Sequence, residues 1–168
     1  MISVSGTNTI FTFSIAKLFS RVKNRTATRV KQLRNDEKKA NYDELSLTDQ
    51  ERPDFDVLCS RAAVDAFQKI QALCHEVVDA YKYGEGSTSD EIVYTVTLPL
   101  YWDPNITPIL DNQIESVLEY WITKEWYRQV GLIQLLQETE LIYDNTVSDL
   151  RSSVLTRRKR VVRKYRIM

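Results

Sequence analysis

Apolar residues recur every third or fourth position over three long stretches of this chain, and every second position over two short ones. The first long stretch opens at Pro53, where the missing N–H costs little, with Asp54 and Asp56 placed where a helix dipole favours anions. Phe55, Leu58, Cys59, Ala62, Ala66, Ile70, Leu73, Cys74, Val77 and Tyr81 then make one wide apolar face, and the turn formers of 83–90 end it. The second stretch begins at Asn105 or Thr107 with Pro108 in its first turn. It runs through Leu110, Ile114, Val117, Leu118, Trp121 and Ile122 to about Arg128, before a break at Gly131. The third, 133–158, carries Leu135, Leu136, Thr139, Tyr143, Val147, Leu150 and Val154 on one stripe.

The two alternating runs, 8–15 and 91–98, predict strands. In the second, Ile92, Tyr94, Val96 and Leu98 face one way and Val93, Thr95 and Thr97 the other. Residues 16–34 show a thinner helical stripe of Ala16, Phe19, Val22, Val30 and Leu33, and the polar run 35–51 reads as a loop or exposed segment. Prolines around 98–104 hold Leu98 and Asp103 extended in an elbow. The predicted fold is mainly α: one domain, 1–168, with three long antiparallel helices, a small β element and extended termini. A chain of 168 residues folding as one domain should bury about 70% of its unfolded surface.

Charge changes this picture more than composition does. The 23 acidic and 23 basic residues cancel, but they are segregated. Residues 1–34 carry seven cations, Lys17, Arg21, Lys23, Arg25, Arg29, Lys31 and Arg34, and no acid. Residues 151–168 carry eight, Arg151, Arg157, Arg158, Lys159, Arg160, Arg163, Lys164 and Arg166, and again no acid. Two readings stand. The basic ends are solvated or fold back on their own acidic centre, or they are arms that reach an anionic partner, either nucleic acid or a neighbouring copy. Opposite signs on one chain suit head-to-tail association, which closes into a ring when its rotation allows.

No catalytic, cofactor or metal motif emerges. Gly84 and Gly86 sit in a turn and form no phosphate loop, and His75 has no Cys or His at ligand spacing. Cys59 and Cys74, fifteen residues apart on one predicted helix, lie about 22 Å apart along its axis and read as small core residues. Glu115, Glu119 and Glu125 lack the histidine partners of a di-iron bundle and read as a solvated helical face. No run of about 18–20 apolar residues offers a membrane span, and the order of charge and apolarity at the N-terminus is the reverse of a secretory signal. The expectation is a non-enzymatic, cofactor-free protein made in the cytoplasm, with no membrane partner.

Aromatic residues cluster at Tyr101, Trp102, Tyr120, Trp121, Trp126 and Tyr127. Trp121 fits the apolar stripe, whereas Trp126 lies about 140° from it around the helix. Trp126 and Trp102 are therefore assigned to elbow packing or to an interface, where Trp is enriched. The stretch LPLYWDPNITPILDNQIESVLEYWITKEWYRQVG, the basic tail RRKRVVRKYRIM and the helix start YDELSLTDQERPDFDVLCSRAAVDAF together resemble small virion proteins of tailed phages of gut bacteria, of the crAss-like type. The likeness spans about 42–168 and leaves the long basic segment before residue 35 unplaced.

This resemblance implies a head–tail connector, an adaptor that assembles as a homo-oligomeric ring at the head–tail junction of the virion and touches portal and tail proteins. The residues assigned to partner binding are Trp102, Trp126, Arg157, Arg158, Lys159, Arg160, Arg163, Lys164, Tyr165 and Arg166. The alternative is an accessory protein that grips DNA through its basic ends, although no helix-turn-helix, zinc or RNA-binding motif accompanies them.

Overall fold

The alternating run TNTIFTFS forms strand β1 (Thr7–Ser14), with Phe11 and Phe13 buried and Ile10, Thr12 and Ser14 outward. This is seen in a computed structural model that describes residues 7–37, 45–73, 81–83, 90–98 and 104–156. Ser14 ends the strand and starts a helix: its Oγ accepts the Lys17 N–H at 3.4 Å, and the Ile15 N–H goes to the Asp90 carbonyl at 2.8 Å. Helix α1 (Ile15–Glu37) follows. Next come α2 (Arg52–Leu73), strands β2 (Tyr81–Tyr83) and β3 (Glu91–Leu98), and helices α3 (Thr107–Gln129) and α4 (Ile133–Thr156). Strand β3 lies between the other two and is antiparallel to both, with Phe11 opposite Tyr94 and Phe13 opposite Ile92.

The mainly helical class and both longer strands stand as expected. The helix number does not: there are four long helices among the described residues, not three. Residues 15–37 are a full member of the bundle because Ile15, Leu18, Phe19, Val22 and Val30 all reach the core. The expected extended N-terminal arm is thus, from Thr7 onward, strand and helix. The additional helix, α1, runs parallel to α3. Ion pairs between α1 and α3 advance together along both, from Lys17–Glu115 to Arg25–Glu119, so these two run in the same sense.

The long helix expected from Pro53 to Tyr81 is also corrected. Tyr81 belongs to β2, where Tyr81, Lys82 and Tyr83 pair with Tyr94, Val93 and Ile92. Four-residue spacing carried the helical pattern on to Tyr81, but two aromatics flanking one residue also suit a strand, and pairing with β3 decides. Cys74, His75, Val77 and the side chain of Leu73 lie outside the described residues, whereas Cys59 is fully buried.

The segment before α2 is no exposed loop at its C-terminal end. Leu47 is buried, and its N–H is held by Thr26 Oγ1 at 3.2 Å. Thr48 and Glu51 form a capping box around a 3-10 turn, Asp49–Glu51, with the Thr48 N–H on Glu51 Oε2 at 2.8 Å. Both the α3 start near Pro108 and the α3–α4 turn match expectation. Gly131 takes φ 76°, a left-handed conformation that favours glycine, and the Leu132 N–H closes on the Tyr127 carbonyl at 3.0 Å.

Helix α3 is the pivot of the bundle, since α1, α2 and α4 all pack on it. Leu110, Ile114, Val117, Leu118 and Ile122 are buried along it, joined by Phe55, Leu58, Ala62 and Ala66 from α2 and Leu135, Tyr143, Val147 and Leu150 from α4. The sheet is anchored to α2 by the Tyr94 hydroxyl, which donates to the Ala63 carbonyl at 2.9 Å. Phe19 and Phe55 meet edge to face at 4.9 Å, under the Arg52 guanidinium.

Candidate functional site

The basic N-terminal segment folds back on its own body. Lys17, Arg21, Arg25 and Arg29 recur every four residues on α1, and Asp111, Glu115 and Glu119 do so on α3, so each set forms a row on one helix face. Arg21 Nη1 meets Glu115 Oε2 at 2.7 Å, with Lys17 Nζ at 3.5 Å from Glu115 Oε1. Arg25 gives Nε and Nη2 to Glu119 Oε1 at 2.8 and 2.7 Å and lays its guanidinium 4.2 Å above the Tyr120 ring. Arg29 reaches Glu138 of α4 at 3.6 Å, and Lys23 reaches Asp49 at 2.7 Å.

Glu115 and Glu119 are therefore not a solvated face. Their side chains are only 11% and 9% exposed, and the cations of α1 cover them. Burial, and next the neighbouring Glu115 carboxylate, push the Asp111 carboxyl above its usual range against the opposing pull of Lys17. Burial works against the Arg25 cation too, but Tyr120 and Glu119 outweigh it and raise its pKa above the ordinary guanidinium value. Glu125, in contrast, pairs locally with Arg128 at 2.6 Å.

A groove of about 580 Å³ follows this row, lined by Arg21, Asn24, Arg25, Thr28, Arg29, Gln32 and Glu119. Its three arginines are already engaged by Glu115, Glu119 and Glu138, so it offers a phosphate little uncommitted charge. Replacing Arg25 with Met should leave Glu119 short of a partner and cost about 1–3 kcal/mol, below the full cost of breaking a buried pair because Arg25 itself is partly solvated. Lys23→Met, opposite an Asp49 side chain that is 78% exposed, should cost no more than about 0.5 kcal/mol. Urea melts compare the two; equal effects would mean that the α1–α3 pairs carry no special weight.

Trp126, assigned from sequence to an interface or the elbow, is buried within the chain. Its indole N–H donates to the Leu45 carbonyl at 3.1 Å, which ties the segment before α2 onto α3. Trp121, expected in the core, is only partly buried at its edge. Trp102 and the tail residues Arg157, Arg158, Lys159, Arg160, Arg163, Lys164, Tyr165 and Arg166 lie outside the described residues.

A polar constellation joins α2 to α4. The Tyr143 hydroxyl donates to Asp65 Oδ2, Lys69 lies 3.8 Å from the other Asp65 oxygen, and Lys124 sits 4.3 Å above the Tyr143 ring. Burial, then the hydrogen bond to Asp65, push the Tyr143 pKa far up, so the phenol keeps its proton and clamps α4 to α2. Burial likewise pushes Tyr127 up to about 12. Neither phenol is tuned to act as a base near neutrality. Among the described residues no group of three His, Cys, Asp or Glu could hold a metal ion, and no helix is long and apolar enough to cross a membrane.

Among the described residues Ile10 of β1, Val57 and Val64 of α2 and Ile109 of α3 are exposed apolar side chains, as are two on the outward side of α4. Ile133 and Leu141 are 67% and 64% exposed there, and Glu138, Glu140, Asp144 and Asp149 are exposed around them. No protein-family model matches the sequence, no curated protein matches it, and no solved structure matches the fold.

Proposed function

We propose that this chain is a structural virion protein: a connector subunit that assembles as a ring between the portal and tail components of a tailed phage, after synthesis in the host cytoplasm. The observation that carries this reading is where the unbalanced charge lies. Five of the seven cations of residues 1–34 are paired with carboxylates of the same chain. Residues 1–150 as a whole hold 15 basic against all 23 acidic residues, and residues 151–168 hold the other eight basic ones. The chain is thus an acidic body with one basic end, a polarity that suits head-to-tail contact between copies. The likeness of 42–168 to phage connector proteins supplies the setting.

The nucleic-acid reading weakens on the same ground. It relied on two basic ends, and one of them is spent on Glu115, Glu119, Glu138 and Asp49. A phosphate-binding tail would still have to bring an acidic body up to DNA.

Light scattering on nuclease-treated protein across a salt series tests the proposal. Oligomers should form at low salt and dissociate as salt rises, because exposed pairs are screened over about 8 Å at physiological ionic strength. A chain that stays monomeric at low salt, both alone and with its portal, overturns it.

A further inference from the structure

We infer that the outward face of α4 is the docking site for the C-terminal segment, residues 157–168, of a second copy of this chain, an inference that rests on the ring reading above. The buried side of α4, through Leu135, Thr139, Tyr143, Val147 and Leu150, turns toward the core, which leaves Ile133 and Leu141 in solvent. These two are eight residues apart, about 12 Å along the axis, with exposed Gln137 between them. Residues 133–150 contain Glu138, Glu140, Asp144 and Asp149 and no cation. Glu138 and Glu140 are met only at long range, by Arg29 at 3.6 Å and Arg128 at 3.7 Å, and Asp144 and Asp149 meet no cation among the described residues.

Two exposed apolar side chains on a helix rich in carboxylates suit a ligand that is apolar and cationic at once. The segment RRKRVVRKYRIM has that chemistry: seven cations, no acid, and Val161, Val162, Tyr165, Ile167 and Met168 among them. Its valines, tyrosine and isoleucine would cover Leu141 and Ile133 while Arg163, Lys164 and Arg166 meet Asp144 and Asp149.

Head-to-tail association, as in the ring reading, sets the segment of a neighbour on this face, and docking on the same helix is the outcome that cross-links within one copy would reveal.

The experiment uses the full chain, mixed from unlabelled and ¹⁵N-labelled protein under conditions where it self-associates, and a zero-length reagent that joins lysine amines to carboxylates. Mass spectrometry should find Lys159 or Lys164 joined to Glu140, Asp144 or Asp149 in mixed-isotope pairs. Replacing Asp144 and Asp149 with Lys should weaken self-association at least tenfold with an unchanged melt. Adding Arg163→Glu and Lys164→Glu to that same chain should restore it, which a misfolded variant could not do. Cross-links confined to one copy, or self-association that ignores both charge changes, overturn the α4 site and leave the ring reading standing. A chain that is monomeric throughout overturns both.

Discussion

Leu118→Ala should destabilise the fold by about 2–5 kcal/mol, the range for truncating a fully buried leucine. Leu118 sits at mid-length on α3, flanked by buried Ile114, Val117 and Ile122, and α3 is held by three other helices. A cavity there cannot close by moving one neighbour, so the cost should fall toward the upper part of that range. For a chain of this size the midpoint of a thermal melt should drop by roughly 4–20 °C. Val64→Ala, on the exposed side of α2, should stay within about 0.5 kcal/mol of the parent and serves as control. An unchanged melt for Leu118→Ala would mean that the packing of α3 is wrong.

Deleting residues 157–168 should abolish assembly and leave the melt nearly unchanged. The buried side chains of α4, from Leu135 to Ser153, all precede the cut, as do the α1–α3 ion pairs and the Tyr143–Asp65 clamp. The change in stability should therefore stay near 0.5 kcal/mol, as for surface changes generally. Assembly should suffer far more, because the cut removes seven of the eight cations that follow residue 150. Sedimentation and a thermal scan of the same sample separate the two effects. If the truncated chain unfolds, the tail is part of the core; if it assembles as before, the tail has no binding role.

Much of the fold can be read from spacing alone. The limits of β1, β3, α3 and α4 follow to within one or two residues from alternation, from Pro108 and from Gly131, since these are local signals. The differences share a physical cause: the pattern on one element takes its meaning from the element it packs against. Glu115 and Glu119 look solvated on α3 by itself, and only the matching row of Lys17, Arg21 and Arg25 on α1 makes them buried. Those two rows have the same four-residue spacing, which is a signal the sequence did contain.

Trp126 failed for a related reason. One apolar stripe leaves Trp126 to the elbow or an interface, but α3 is buried on several sides, and the segment at Leu45 covers the indole. The Thr48–Glu51 capping box, T-x-x-E, was equally visible in TDQE and marks where the polar segment stops being a loop. Tyr81 could not be decided locally, because the same tyrosine fits the fourth-residue stripe of a helix and the edge of a sheet.

The pairing of β1 with β3 fixes an order of events during synthesis. Thr7–Ser14 has to wait for Glu91–Leu98, so the ribosome adds more than seventy residues before Phe11 and Phe13 gain their neighbours. At about 5–20 residues per second this is a delay of several seconds. Over the same interval the nascent chain carries the cations of α1 without Glu115 and Glu119, which are made later still. A contact of such high sequence separation forms late and slows folding. The growing chain thus holds Arg21 and Arg25 without their carboxylate partners until α3 has emerged.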